Sequence, residues 1–283
     1  MHPKPCSSLY TSSQKFKIKK MRFFVYFIFL LLSTYATAQL CDQCDTSKAA
    51  FFARSSGLSS GACGYGAFAL NLYRGHVAAA RQNIYLNGQG CGACYQIRCE
   101  NSAVCSKTGT NIVVTDFHNA KNNFTDFVLS SRAYRAMALP GKDKQLLGLG
   151  IVDVEYKRLP CVYRGQNLAI RVEEFSKPPN YLAIKILYQG GQTKIVGAEV
   201  AGVDVPSNWV SMRHNYGAVW DTSAAPKGAL QFRFIIYSGY EAQYFYTNQV
   251  LPAKWKPGVV YDSTVQIDNV AIEKCKACKG FKL

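Results

Sequence analysis

Between Gly61 and Cys105 the chain places five cysteines and seven glycines; all five cysteines fall in Gly61-Ala-Cys-Gly-Tyr-Gly66, in Cys91-Gly-Ala-Cys94-Tyr-Gln-Ile-Arg-Cys99 and at Cys105. Close-set turns and cross-links must dominate such a segment. This density suits a rigid, loop-rich β-domain formed in an oxidising compartment.

The N-terminus points to the same compartment. Lys4, Lys15, Lys17, Lys19, Lys20 and Arg22 stand before an unbroken apolar run from Phe23 to Leu32, and Ser33-Thr-Tyr-Ala36-Thr-Ala38 has the small-x-small spacing read by signal peptidase. The run is well short of the roughly 20 residues of a membrane helix. Residues 1–38 are therefore expected to be a leader with a secretory signal that leaves no membrane attachment, and Met21, directly before Arg22, is the expected working start.

Removing this leader takes one of the eleven cysteines and six basic residues with no acid, which lowers the net charge from +16 to +10. Ten cysteines in a secreted chain read as a full disulfide set. Outside the cytoplasm, the basic balance argues against nucleic acid and for a polyanionic extracellular surface, or simply for a soluble basic one. The excess sits in the first half: residues 41–164 carry 14 basic and 8 acidic side chains, against 9 and 7 in 165–265.

Composition changes near Cys161. Residues 162–274 contain no cysteine and all three tryptophans, the pattern of a disulfide-stapled domain followed by one held by an apolar core. The expected organisation is a leader 1–38, a first domain 41–164, a second domain 165–265 and a cysteine-bearing tail 266–283, with Tyr163-Arg-Gly-Gln-Asn167 as linker. In the second domain the period is two. Leu168, Ile170 and Val172 alternate with Ala169, Arg171 and Glu173, and Leu230, Phe232, Phe234 and Ile236 share one side of a later run. Turn signals at Lys177-Pro-Pro-Asn180, Gln189-Gly-Gly-Gln192 and Pro226-Lys-Gly228 separate such runs and predict a small antiparallel sandwich. The first domain also reads as β, with strands at Ile112–Val114 and Ile151–Tyr156 and one helix from Ser130 or Ser131 to Met137, ahead of Pro140-Gly141.

The two cysteine and glycine blocks are followed in order by Ala133-Tyr-Arg-Ala-Met-Ala138, Ile151-Val-Asp-Val-Glu-Tyr-Lys-Arg158 with Cys161, Pro179-Asn-Tyr-Leu-Ala183, Gly217-Ala-Val-Trp220 and Pro252-Ala-Lys-Trp255. Together these motifs resemble the plant expansins, and the terminal cysteine pairs resemble the expansin-like A branch. The resemblance implies an all-β chain: a double-psi β-barrel of the family-45 endoglucanase type, then an immunoglobulin-like β-sandwich of carbohydrate-binding type. It also implies bridges from Cys63 to Cys91, Cys94 to Cys161 and Cys99 to Cys105. Cys41, Cys44, Cys275 and Cys278 remain. For two C-x-x-C pairs so far apart in a secreted chain, disulfides are a better reading than zinc, either joining the termini or closing two local loops. No metal and no cofactor is expected.

Family-45 enzymes, whose fold the first domain resembles, cut β-glucan by inversion with an acid and a base roughly 6.5–9.5 Å apart. Expansins resemble them without the base and keep an aspartate in a His-Phe-Asp motif. The matching triplet here is Asp126-Phe127-Val128, so Val128 holds the acid position and no hydrolytic activity is expected. Asp126 lies two residues away, about 6–7 Å along a strand. The family's second groove aspartate matches Asp116, either as an acceptor for sugar hydroxyls or as a turn cap. With Asp126 and with Tyr65, which either contacts sugar or simply packs with its hydroxyl satisfied, it makes up the expected polysaccharide groove. At Ala49-Ala-Phe-Phe-Ala53 the family typically has Ala-Thr, an aromatic, Tyr and Gly; Ala50 and Phe52 lose two hydroxyls and Ala53 loses glycine's backbone freedom.

In the second domain the resemblance places sugar-stacking aromatics at Tyr181 and Tyr216, the latter often a tryptophan, with Trp209 as a further candidate. Aromatic rings bind the apolar faces of pyranoses by burial and C–H to π contact, without charge. Trp220 and Trp255 read as packing residues. Asn123-Phe-Thr125 is the one N-x-S/T sequon after the leader, which makes Asn123 the candidate glycosylation site. The resemblance thus implies a monomeric, secreted, non-hydrolytic protein of the plant cell wall. Its expected partners are cellulose and xyloglucan or another hemicellulose, with pectin added by charge. It would either loosen the wall or bind it passively; a β-glucanase with displaced carboxylates is the third reading.

Overall fold

The computed structural model describes residues 44–52, 61–119, 125–238 and 242–268. Six strands, β1 (Asp45–Phe52), β2 (Val77–Ala80), β3 (Cys94–Cys99), β4 (Thr110–Phe117), β5 (Thr125–Ser130) and β6 (Val152–Leu159), close a barrel in the order β1-β5-β2-β4-β3-β6. The pairings of β1 with β5 and of β2 with β4 are parallel; the other four are antiparallel. This is the double-psi barrel. Side chains alternate across each strand, and Ala49, Ala78, Ala80, Ile97, Ile112, Val114, Phe127, Leu129 and Val154 belong to the barrel core.

The helix expected after Ser130 spans Ser131–Ala136. Ser130 Oγ accepts from Ala133 N at 3.2 Å as the N-cap and donates to Gly75 O at 2.8 Å, so one buried hydroxyl ties the helix to the turn before β2. A second helix, Asp143–Leu149, was not legible as a period, because Leu146 alone of its residues is buried and no side chain caps it.

The remaining strands are β7 (Ala169–Val172), β8 (Leu182–Leu187), β9 (Lys194–Gly202), β10 (Val210–Tyr216), β11 (Val219–Thr222), β12 (Leu230–Tyr237), β13 (Ala242–Leu251) and β14 (Val260–Asp262). They run β13-β12-β9-β10-β11-β8-β7-β14, with every pairing antiparallel. β10 belongs to both layers of this β-sandwich: Val210–Met212 pairs with β9, whereas Arg213–Tyr216 pairs with β11. The core between the layers takes Leu168, Ile170, Val172, Phe232, Phe234 and Ile236, the residues picked out by the period of two. Trp220 and Trp255 join them, each 6 % exposed.

A third apolar cluster joins barrel and sandwich. Cys63, Tyr65, Leu72, Val77, Val113 and Cys161 pack there with Ala169, Leu187 and Ala218. Disulfides Cys63–Cys91 and Cys94–Cys161 lie inside it, and Cys99–Cys105 closes a short loop of the barrel. Cys44 is also disulfide-bonded. Ala218 N donates to Cys63 O at 3.1 Å, and Cys161 and Gly191 exchange backbone bonds of 2.9 and 3.0 Å. Gly217 has φ +51°, and a Cβ there would stand 2.5 Å from Cys63 Cα. Gly217→Ala therefore combines a left-handed backbone penalty with direct overlap and should cost about 3 kcal/mol. Chemical denaturation will measure it, and an unchanged midpoint would remove this contact from the forces that hold the fold.

Candidate functional site

Four strands contribute one row of side chains to the outer face of the barrel. Ala50 pairs with Val128, Val128 with Ala79 and Ala79 with Asp116. Their neighbours Ala49, Phe127, Ala78 and Ala80 belong to the barrel core, so alternation turns the row outward. Asp116 and Val128 flank β2, which sets their backbones about 10 Å apart. Ala79 and Val128 are closed off at 1 % and 8 % exposure, and Asp116 is the one carboxylate of the row.

Asp116 Oδ1 accepts from Ala62 N at 2.6 Å and from Phe117 N at 2.7 Å. It is a turn cap for the Gly61 loop, and among the described residues Oδ2 accepts no hydrogen bond. Around it stand side chains that the motifs did not single out. Tyr85 donates to Ala62 O at 3.3 Å and packs on Phe117 with ring centroids 5.0 Å apart. Burial, then the charge of Asp116, raises the Tyr85 phenol above its usual range. Burial, followed by the charge of Arg81, lowers the His118 imidazole, with Asp116 opposing. The Asp116-Phe-His118 order was the available signal.

Two expected groove residues are engaged elsewhere. Asp126 lies where the register of β1 against β5 slips, 3.7 Å from Arg81 and accepting from Tyr156 OH at 3.4 Å. Tyr65 is 3 % exposed within the cluster that joins the domains. This corrects its expected place in the groove: its ring fills space between barrel and sandwich, and burial drives its phenol far above the usual range. Phe52 likewise packs against that cluster.

On the sandwich, Tyr181 and Tyr216 belong to the layer containing β7, β8 and β11. Tyr181 donates to Asp221 Oδ2 at 2.9 Å; Arg213 Nη2 and Asn215 Nδ2 reach the same oxygen at 3.0 and 2.6 Å. Trp220 is in the core, so Asp221 faces outward on β11. Tyr216 is 41 % exposed and lies over Gly64, where a Cβ would meet its ring at 2.7 Å. Lys185, Glu173 and Arg171 lie on the same layer: Lys185 Nζ is 3.0 Å and Arg171 Nη1 2.9 Å from Glu173 Oε1. Burial depresses the Lys185 ammonium even though Glu173 favours its charge. Arg171 also stacks over Phe68 of the barrel, 5.5 Å from its centroid. The Gly61–Gly64 loop thus meets Asp116 at Ala62 and Tyr216 at Gly64, so the Asp116 row and the tyrosine face adjoin.

Trp209 does not share that face. It packs against Tyr246 of β13 at 6.0 Å and under the guanidinium of Arg233 at 4.5 Å, on the layer of β9, β12 and β13. Arg233 alternates with the core residues Phe232 and Phe234, so this group covers the opposite outer surface. Asn123, Cys41, Cys275, Cys278, Ala53 and the leader lie outside the described residues.

Fold and site together define a double-psi barrel docked on a β-sandwich that carries tyrosines on the adjoining face. Residues 168–252 match the family described as Expansin C-terminal domain, and residues 77–156 match the double-psi family described as lytic transglycolase. Expansin-like A1 of Arabidopsis thaliana is 49 % identical over 258 residues, 90 % of this chain and 97 % of its own. Expansin-like A3 of the same plant is 51 % identical over 261 residues, 91 % and 98 % of the two chains. The crystal structure of apo Clavibacter michiganensis expansin superposes with a TM-score of 0.59 and 18 % identity over 80 % of this chain and 98 % of that one. A mutant of the same bacterial protein, crystallised in complex with cellohexaose, gives 0.58. The chain belongs to the expansin superfamily, with expansin-like A proteins among its similar relatives.

Asp221 supplies a pH test of the tyrosine face. Burial alone would raise its pKa, but hydrogen bonds from Arg213 and Tyr181, the Arg213 charge and Asn215 together hold it below the usual carboxylate range. A depressed folded-state pKa gives stability that is present above about pH 4 and lost as pH falls through the folded value. Asp221→Asn should therefore lose stability less steeply on acidification than the parent protein. Denaturation midpoints between neutral and acid pH will show this; parallel curves would mean Asp221 carries no such linkage.

Proposed function

We propose that this protein is a secreted, non-hydrolytic component of the plant cell wall that grips cellulose or a hemicellulose such as xyloglucan and eases slippage between polymers. The observation that carries the reading is the row Ala50, Val128, Ala79 and Asp116: it adjoins the tyrosine face and holds one carboxylate, where inverting hydrolysis needs two. The groove offers Asp116 Oδ2 and the Tyr85 phenol to sugar hydroxyls, and Tyr216 and Tyr181 offer apolar ring area to pyranose faces. The bacterial relative of the same fold, crystallised with cellohexaose, supports a β-glucan as ligand. A second reading, binding without loosening, is favoured by the apolar character of Ala50, Val128 and Ala79.

Purified protein tested in parallel for wall extension and sugar release distinguishes these readings. Extension without reducing sugar is the expected result; binding with neither supports the second reading, and sugar release overturns both. Tyr181→Ala and Tyr216→Ala should each weaken pull-down on insoluble wall by about 1 kcal/mol, roughly fivefold. Undiminished pull-down of the double variant would reject the tyrosine face as the grip.

A further inference from the structure

A second concavity lies on the barrel at the start of β2, about 10 Å along that strand from the Ala79 row. It has a volume of about 920 Å³ and is lined by Arg74, His76, Gln96, Asn111, Tyr163 and Arg164, among others, with no acidic side chain among the described residues of its wall. Arg74 and Arg164 are exposed, and neither enters an ion pair among the described residues. Around most of the surface, a cation without a counter-ion is merely solvated. Here two of them border one cavity beside a half-buried imidazole.

The backbone that presents Arg74 is unusual. Tyr73, Arg74 and Gly75 have φ of +43°, +57° and +79°, three consecutive left-handed residues of which one is glycine. Such a run is costly for residues bearing a Cβ and persists where surroundings enforce it. The enforcing contacts are present. Arg132 Nη1 donates to Arg74 O at 2.7 Å, Val162 N donates to Tyr73 OH at 2.7 Å, and His76 N donates to Tyr73 O at 3.1 Å. Tyr73 also meets Tyr163 edge-on at 5.4 Å, and Tyr163 meets Tyr188 at 5.5 Å. Turn and linker are thereby locked together, which holds Arg74 and Arg164 on the same cavity. His76 Nδ1 lies 2.9 Å from Thr110 Oγ1. Burial first, then the charges of Arg132 and Arg74, keep its imidazole below the usual range, with a backbone bond at Asn111 opposing, so it serves as a neutral hydrogen-bonding group.

We infer that this cavity is a binding site for an acidic oligosaccharide, with the Arg74 and Arg164 guanidinia taking uronate carboxylates and the side chains of Gln96, Asn111 and His76 taking ring hydroxyls. Guanidinium forks suit planar carboxylates, amides suit sugar hydroxyls, and the Tyr163 ring supplies an apolar edge. The groove beside Asp116 has the reverse character, with a carboxylate and neutral rings. This site rests on the proposed function for its ligand class, a wall polysaccharide, and adds to it a distinct acidic polymer bound at a distinct place.

The test is titration of the full-length secreted protein with a short oligogalacturonide, its fully methyl-esterified form and a neutral cello-oligosaccharide. Arg74→Gln and Arg164→Gln should each weaken oligogalacturonide binding about tenfold, while pull-down on cellulose stays unchanged. The corresponding lysine variants should recover part of the affinity, and raised salt should weaken it further. Matching thermal melting curves show that the variants fold. Equal affinity for the methyl ester, equal affinity for inorganic polyphosphate, or a double glutamine variant that binds as the parent does would each overturn the site. Loss of cellulose pull-down in the parent protein with oligogalacturonide binding intact would instead count against the proposed function alone.

Discussion

The structure depends on how closely the Gly61–Gly66 turn lets two domains approach. Its backbone carries Ala62 to Asp116 of the barrel, Cys63 to Ala218 of the sandwich and Gly64 to the ring of Tyr216. Gly217 answers from the other side, because any Cβ there would occupy the space of Cys63. Two disulfides run through the same apolar cluster and hold the loops that make it. A cross-link lowers the entropy of the unfolded chain, and this segment has little helix or strand of its own to order it.

That junction also explains the character of the candidate site. A polysaccharide is long and its ring faces are apolar, so it is best held by an extended surface with few charges. The tyrosine face and the Asp116 row are each modest alone. Joined through the Gly61–Gly64 loop, they adjoin, and the charged side chains Lys185, Glu173, Arg171, Asp221 and Arg213 of the sandwich layer are paired with one another.

Much of the fold was legible in the sequence. The period of two picked out the sandwich core from Leu168 to Val172 and from Leu230 to Ile236, because an antiparallel layer with one wet face must alternate. Ser130 announced its helix, since a buried hydroxyl at that point has an orphan amide to satisfy. The helix Asp143–Leu149 gave no such signal, with a single buried side chain. Tyr65 and Trp209 were misplaced for a related reason. Residue type marks a ring as useful for stacking, but burial against a second domain or assignment to one layer of a sandwich is settled by contacts distant in the chain.

By itself the sequence determined a cysteine-stapled β-domain followed by an antiparallel sandwich, because turn chemistry, cysteine number and side-chain alternation are local properties. Only the tertiary structure decided that Ala50, Val128, Ala79 and Asp116 form one row, since strand register joins residues far apart in sequence. It likewise brought Arg74 and Arg164 to one cavity. Charge composition could count those arginines but not seat them, because the left-handed turn that presents Arg74 is held from two distant segments, at Arg132 and at Val162–Tyr163.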